Sequence, residues 1–204
     1  TNNFTVAILT DYINGAWEYF YLFLNPNNTL SFAINEGGAN SCLLNSSSSI
    51  ADNQWHHIAI TRDVSVDSMY MFIDGTLIDS EYCNKNGDIF SGQGLAIGGN
   101  HQSRFTECDM SMVSFSEIVR YNSNFVAPFE FILDNNTLIY LDFNEGTGTT
   151  LTDLSGNGNN GTINGADWIT DAPSQYANNC TAIDDVVVTL NPLLTIDLGA
   201  DTSL

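Results

Sequence analysis

Hydrophobic and polar positions alternate with a period of two along much of the chain. In "QWHHIAITRD", Trp55, His57, Ala59 and Thr61 fall on one face, and His56, Ile58, Ile60 and Arg62 on the other. This period, with β-branched and aromatic residues, predicts a strand with two distinct faces. A polar connection from Asp63 to Ser68 leads into a second strand, "MYMFI", and Asp74-Gly75 turns the chain back into "TLIDS". Asp-Gly between apolar runs predicts a type I′ turn, whose central residues need positive φ and whose twist matches the flanking strands. Three consecutive antiparallel strands result, with Ile58, Ile60, Tyr70, Phe72 and Ile73 expected in or beside the core.

The same alternation recurs on both sides. Phe4, Val6 and Ile8 begin it. Trp17, Tyr19, Tyr21 and Phe23 then alternate with Glu18, Phe20, Leu22 and Leu24. Asn25-Pro26-Asn27-Asn28 interrupts, and Leu30, Phe32 and Ile34 resume, which predicts a hairpin. The aromatic face has two readings: core, since large rings usually supply buried area, or a platform on which sugars stack. Ser46 to Ser49 reads as a loop or edge strand. Further short strands are expected in "LAIGG" (95–99), "DMSMVSF" (109–115) and "TLIYLDF" (137–143), with "RYNSNFVAPFEF" as a surface connection. No amphipathic helical period emerges. Many short strands separated by Gly/Asn turns predict an all-β fold, an antiparallel β-sandwich or jelly roll.

Composition narrows the function. The 204 residues suit one β domain plus a short remainder, and 43 % hydrophobic content with twelve Phe is ample for a core. Four Lys and Arg against 24 Asp and Glu give a formal charge of −20. Such a surface repels nucleic acid and anionic membranes. No apolar run is long enough to insert into a membrane. The chain starts inside a strand pattern without a leader, which reads as part of a larger polypeptide. Cys42, Cys83, Cys108 and Cys180 contain no C-x-x-C pair, which argues against zinc. An even count in a β-rich chain predicts an oxidising compartment and at least one disulfide among Cys42, Cys83 and Cys108; three pairings are open. Cys180 lies outside the compact pattern. Asn-x-Ser/Thr sequons begin at Asn3, Asn27, Asn45, Asn135, Asn160 and Asn179. In an Asn-rich chain they identify no site by themselves.

"QWHHIAITRD" followed by "MYMFIDGTLIDS" resembles the laminin-G-like jelly roll of the concanavalin A-like lectin/glucanase superfamily. "SEIVRYNSNFVAPFEF" is similar to the connection after that domain's last core strands. "LIYLDFNEGTGTTLTDLSGNGNNGTINGADW" is similar to the family's "F-x-E-G-x-G … D-x-S-G-N-G-N-x-G" segment. The resemblance covers about residues 1–170 and implies a jelly roll over that span. The fold alone implies no single function.

Two kinds of chemistry can be weighed on the residues. Glucanases of this superfamily carry an E-x-D-x-x-E strand whose carboxylates act as nucleophile and general acid. Here Glu107-Cys108-Asp109 runs on into Met110, Ser111 and Met112, while Glu117 and Glu145 stand alone. His56 and His57 have no nucleophile in a recognisable turn, so the expectation is a non-enzyme. Calcium is the metal the sequence suggests. "DLSGNGNNG" supplies the hard oxygens of Asp153, Asn157, Asn159 and Asn160, and its glycines let carbonyls turn inward. Asp153, Asn157 and Asn159 are the expected ligands; the alternative is a tight Gly/Asn loop joining two strands with no ion. The resemblance also implies an acidic pair ahead of "RY" as calcium ligands, but Ser111 and Met112 occupy those positions.

Residues 171–188 read as an acidic linker. Residues 189–204, with "LNPLLTIDLGADTSL" at their end, resemble the opening strand of Ig-like repeats in type IX-secreted adhesins of gliding bacteria. The combined expectation is a secreted or cell-surface recognition module for a glycan or glycoprotein. An accessory module of a polysaccharide-degrading enzyme and a ligand-free spacer are the alternatives.

Overall fold

In a computed structural model, residues 5–11, 20–36, 39–84, 94–99, 105–128 and 130–169 are described. The described residues form twelve strands, and all strand pairs are antiparallel. The first four are β1 (Val6–Asp11), β2 (Phe20–Leu24), β3 (Leu30–Glu36) and β4 (Ala39–Asn45). Then come β5 (Ile58–Asp63), β6 (Ser68–Ile73), β7 (Thr76–Tyr82) and β8 (Leu95–Ile97). The last are β9 (Val113–Ser116), β10 (Thr137–Leu141), β11 (Thr150–Leu151) and β12 (Gly161–Thr162). One sheet has the order β4-β3-β2-β1-β8 and another β5-β6-β7, with β9-β10 and β11-β12 as separate pairs.

The five-stranded sheet supplies Phe20, Leu22, Leu30, Phe32, Ile34, Cys42 and Leu44 to the core, and the three-stranded sheet faces them with Met69 and Met71. Ile58, Ile60 and Ile73 pack against this cluster, as does Phe115 of β9. This is the expected β-sandwich. Each fully buried Leu, Met or Phe contributes about 1.5–3 kcal/mol. Of the predicted core set, the isoleucines flank the core, but β6 turns Met69 and Met71 inward and Tyr70 and Phe72 the other way. The register makes this consistent: Ile58 faces Ile73 and Ile60 faces Met71, whereas Ala59 faces Phe72 and Thr61 faces Tyr70. Phe72 is nonetheless fully buried, because Tyr121 and Phe125 pack on it at centroid distances of 6.4 and 5.3 Å. The segment expected as a surface connection therefore covers the outer face of the β5-β6-β7 sheet.

The Asp74-Gly75 turn has positive φ at both residues, +51° and +78°, as type I′ requires. It is also a docking point. Phe125 donates its N–H to the Gly75 carbonyl at 2.9 Å, and Leu77 donates to Asn124 Oδ1 at 2.8 Å. The strand expected from Gln54 starts at Ile58 instead. Residues 56–57 are held by the Asp74 side chain, whose Oδ1 accepts the His57 N–H at 2.8 Å and whose Oδ2 lies 2.8 Å from His56 Nδ1.

Cys42 and Cys83 form a disulfide. It ties edge strand β4 to the end of β7, across the open side of the sandwich, where Asn45 also donates its N–H to Asp79 Oδ2 at 2.8 Å. Cys108 is a free, exposed thiol. Trp17, Tyr19, Cys180, the 171–188 linker and the 189–204 Ig-like segment lie outside the described residues.

Candidate functional site

The β2 alternation resolves into an inner face of Phe20, Leu22 and Leu24 and an outer face that includes Tyr21 and Phe23. The register extends this outer face in two rows. One runs Thr10–Tyr21–Ala33–Leu43 and the other Phe23–Ser31–Asn45. Tyr21 and Phe23 stack, with ring centroids 4.3 Å apart and planes 19° from parallel. Phe23 is buried and Tyr21 half-buried. Beside the rings lies a hydrogen-bonded polar line. Asn25 Nδ2 donates to Ser31 Oγ at 2.8 Å and to Thr29 Oγ1 at 3.1 Å, and Ser31 Oγ donates to Asn45 Oδ1 at 2.7 Å. Tyr21, the half-buried ring of the pair, lies next to oriented amide and hydroxyl groups and can stack on the C–H face of a sugar while they bond its hydroxyls; Phe23, Thr10 and Ala33 on the same face are buried. The alternation puts Ser31 on the face opposite Phe32, but its partnership with Asn45 depends on a cross-strand register that one sequence does not display.

The three residues expected to hold calcium come together on one edge of β10. Asp153 is buried, and its carboxylate accepts N–H groups from Tyr140 and Ser155 at 3.0 Å each and from Asn159 at 2.9 Å. Burial alone would raise its pKa, but the hydrogen bonds outweigh it and hold the carboxyl at about 2. Asn157 Nδ2 donates to the carbonyls of Thr137 and Leu138, and Asn159 Nδ2 to that of Leu138 at 2.9 Å. Asn160 Oδ1 accepts the Asp153 N–H. An amide facing carbonyl oxygens must present its NH₂. The loop thus behaves as a side-chain substitute for a missing neighbour strand: it satisfies the free edge of β10, and β11 pairs with β12 around it.

His56 and His57 are adjacent but sit in opposite environments. His56 Nδ1 is 2.8 Å from Asp74 Oδ2 and its Nε2 is 3.0 Å from Asp52 Oδ1. Carboxylates only accept, so this geometry is fully satisfied when both ring nitrogens carry a proton and donate. Partial burial opposes that charge, but the bonds to Asp74 and then Asp52 outweigh it and raise the pKa. The hydrogen bond from His56 in turn lowers the pKa of Asp52. His57 is pushed the other way by burial. Its ring meets the edges of Tyr121, Phe125 and Phe131 at 5.5–6.3 Å. Arg120 pairs in bidentate fashion with Asp134, at 2.7 and 3.2 Å, and also bonds Thr137 Oγ1 and Ser116 Oγ. That hydrogen bonding holds the Asp134 carboxyl well below the usual range. Both clusters fasten segments of backbone to one another.

A sandwich with this order of strands, carrying an aromatic pair and a polar line outside its core, agrees with a match of residues 1–123 to a family model described as the concanavalin A-like lectin/glucanases superfamily. The chain belongs to that superfamily. Its laminin-G-like jelly roll superposes on a candidate carbohydrate-binding protein from Bacteroides ovatus with a TM-score of 0.63 and 18 % identity. The alignment covers 78 % of this chain and 48 % of that one, so the chain spans about half the neighbour's length. At that identity the likeness establishes the fold alone. An S-layer domain-containing protein from Clostridium thermocellum aligns at 15 % identity over 67 % of this chain and 60 % of its own. Its TM-score of 0.21 carries no argument. No curated protein matches the sequence.

Proposed function

We propose that this domain is a non-catalytic carbohydrate-recognition module of a secreted or cell-surface protein, contacting sugar through the outer face of the five-stranded sheet. The observation that carries this reading is the stacked Tyr21–Phe23 pair beside the Asn25–Ser31–Asn45 line. The superfamily, and what the Bacteroides ovatus neighbour is described as binding, support it. The Cys42–Cys83 bridge supports an oxidising compartment. No helix among the described residues is long and apolar enough to cross a membrane. A non-catalytic role is supported by the carboxylates with displaced pKa values among the described residues: Asp52, Asp134 and Asp153 are all lowered by hydrogen bonds. A glycosidase's general acid has to be raised.

Calcium at the Asp153–Gly161 loop is a separate part of the proposal. An ion there has to compete with the backbone N–H groups that already occupy the Asp153 carboxylate. We therefore assign it weak affinity and no part in folding. The deciding experiment for the main reading is titration calorimetry against the best ligand from a glycan array. Stacking is worth about 0.5–1.5 kcal/mol, so Tyr21→Ala should weaken binding roughly two- to twelvefold. Unchanged affinity with an intact fold removes Tyr21 from the site.

A further inference from the structure

The loop after β12 carries a site of covalent change. We infer that, among the described Asn-Gly pairs, Asn164–Gly165 is the one that modifies itself in the folded domain, and that the fold tolerates the product. In such a pair the glycine nitrogen attacks the preceding side chain, since a residue without Cβ leaves the approach open. The Gly165 N–Asn164 Cγ bond forms and the Cγ–Nδ2 bond breaks. Nδ2 leaves as ammonia, taking up the Gly165 amide proton. Solvent water then opens the cyclic imide at one carbonyl or the other, which gives aspartate or its β-linked isomer, and nothing is oxidised or reduced.

The chain has five Asn-Gly pairs, and the three at Asn157, Asn160 and Asn164 lie among the described residues. The dipeptide is the same in each, so the surroundings decide. Asn157 holds its leaving group fast: Nδ2 donates to the carbonyls of Thr137 and Leu138 at 3.0 and 3.1 Å and to Ser155 Oγ at 3.2 Å. Those bonds must break before the side chain can turn towards Gly158. Asn160 Oδ1 accepts the Asp153 N–H at 2.9 Å. Its Gly161 is held in β12 opposite Leu151, and a Cβ there would come within 3.3 Å of the Leu151 side chain. Asn164 is exposed, and its side chain has no hydrogen bond among the described residues. Gly165 is exposed too, and a Cβ on it would meet nothing within 4 Å.

The chain is fastened on both sides of this pair. Ile163 donates its N–H to the Thr149 carbonyl at 2.8 Å, and Trp168 Nε1 donates to the Gly148 carbonyl at 2.9 Å. A carboxylate at position 164 faces water and disturbs neither bond. At position 157 it would face two carbonyl oxygens with no proton to offer them.

The test incubates the full chain at mildly alkaline pH, folded and in urea, and follows each asparagine by fragment-ion mass spectrometry. One hydrogen bond is worth a factor of roughly 2–12, so in the folded chain Asn164 should convert about tenfold or more faster than Asn157 and Asn160. In urea the three rates should converge. Asn157 or Asn160 keeping pace with Asn164 in the folded chain, or the same order of rates persisting in urea, overturns the assignment. Asn164→Asp should melt with the wild type and Asn157→Asp below it. An equal fall in both variants overturns the tolerance of the product.

Discussion

Gly75→Ala tests how the two halves of the domain are joined. A Cβ at Gly75 would lie 2.0 Å from the Phe125 carbonyl oxygen, 3.0 Å from its carbon and 3.1 Å from the Ala127 nitrogen. Backbone cannot yield there as a flexible side chain would. The residue also sits at φ +78°, and a left-handed conformation costs a residue with a Cβ about 1–2 kcal/mol. Moving residues 125–127 away breaks the Phe125 N–H bond to Gly75, worth about 0.5–1.5 kcal/mol. It also pulls Phe125 from its stack with Tyr121, where the ring centroids are 3.6 Å apart, and uncovers part of Phe72. Together these give an expected loss of about 3–5 kcal/mol. Gly146 provides the control. It has φ +66°, and a Cβ there would meet nothing within 4 Å, so Gly146→Ala should cost only the conformational part, about 1 kcal/mol. Urea denaturation of both variants, with hydrogen exchange at the Phe125 amide, makes the comparison. Equal losses, or undiminished Phe125 protection in Gly75→Ala, would refute the idea that this turn is the anchor of the 121–127 segment.

Removing the disulfide by Cys42→Ala with Cys83→Ala should cost roughly 4 kcal/mol, from the sequence separation of 41; denaturant midpoints with and without reductant check it. Asp153 has a lowered folded pKa, so its contribution is present above the unfolded value and lost as pH falls from about 4 towards 2. That displacement is worth about 2 kcal/mol, and an Asp153→Asn variant should flatten the acid limb of the stability curve. Chelator should leave the melting temperature unchanged, whereas a calcium-specific rise above about 2 °C, absent with magnesium, would make the loop a structural ion site. His56 has a raised folded pKa, so its stabilisation is complete below 6.5 and fades as pH rises through the folded value. His57 is lowered and acts oppositely, losing stability as pH falls below 6.5. His56→Gln should therefore abolish the loss on the alkaline side and leave the acid-side loss in place, as read from melting temperatures at steps of roughly one unit between about pH 5 and 9.

The period-two pattern carries the sandwich, the hairpins and the Asp-Gly turn because each depends on neighbours in sequence. It does not carry which face of β6 is inward, since Met69, Met71, Tyr70 and Phe72 are all apolar enough for either side. Burial of Phe72 is decided by Tyr121 and Phe125, residues far away in sequence whose own segment has no strand period. The 153–161 loop shows a related limit. Asp, Asn and Gly at those positions suit calcium or backbone hydrogen bonds equally well, and the choice of bonding partner belongs to β10, which arrives from elsewhere. The start of β5 departs from the alternation for the same reason, because the Asp74 side chain holds residues 56–57 where a ladder partner would otherwise stand.

The Cys42–Cys83 bridge has a mechanical side. Residues 43–82 form a closed loop that holds all of β5, β6 and β7. Tension applied to the chain outside the two cysteines passes from Cys42 to Cys83 through the sulfur atoms and bypasses that loop. Forced unfolding of the oxidised domain should therefore release less contour length than the reduced one, by roughly 140 Å at full extension of the bypassed residues. Pulled hard, the domain lengthens only in its remaining strands, while the β5-β6-β7 segment stays on an unloaded branch.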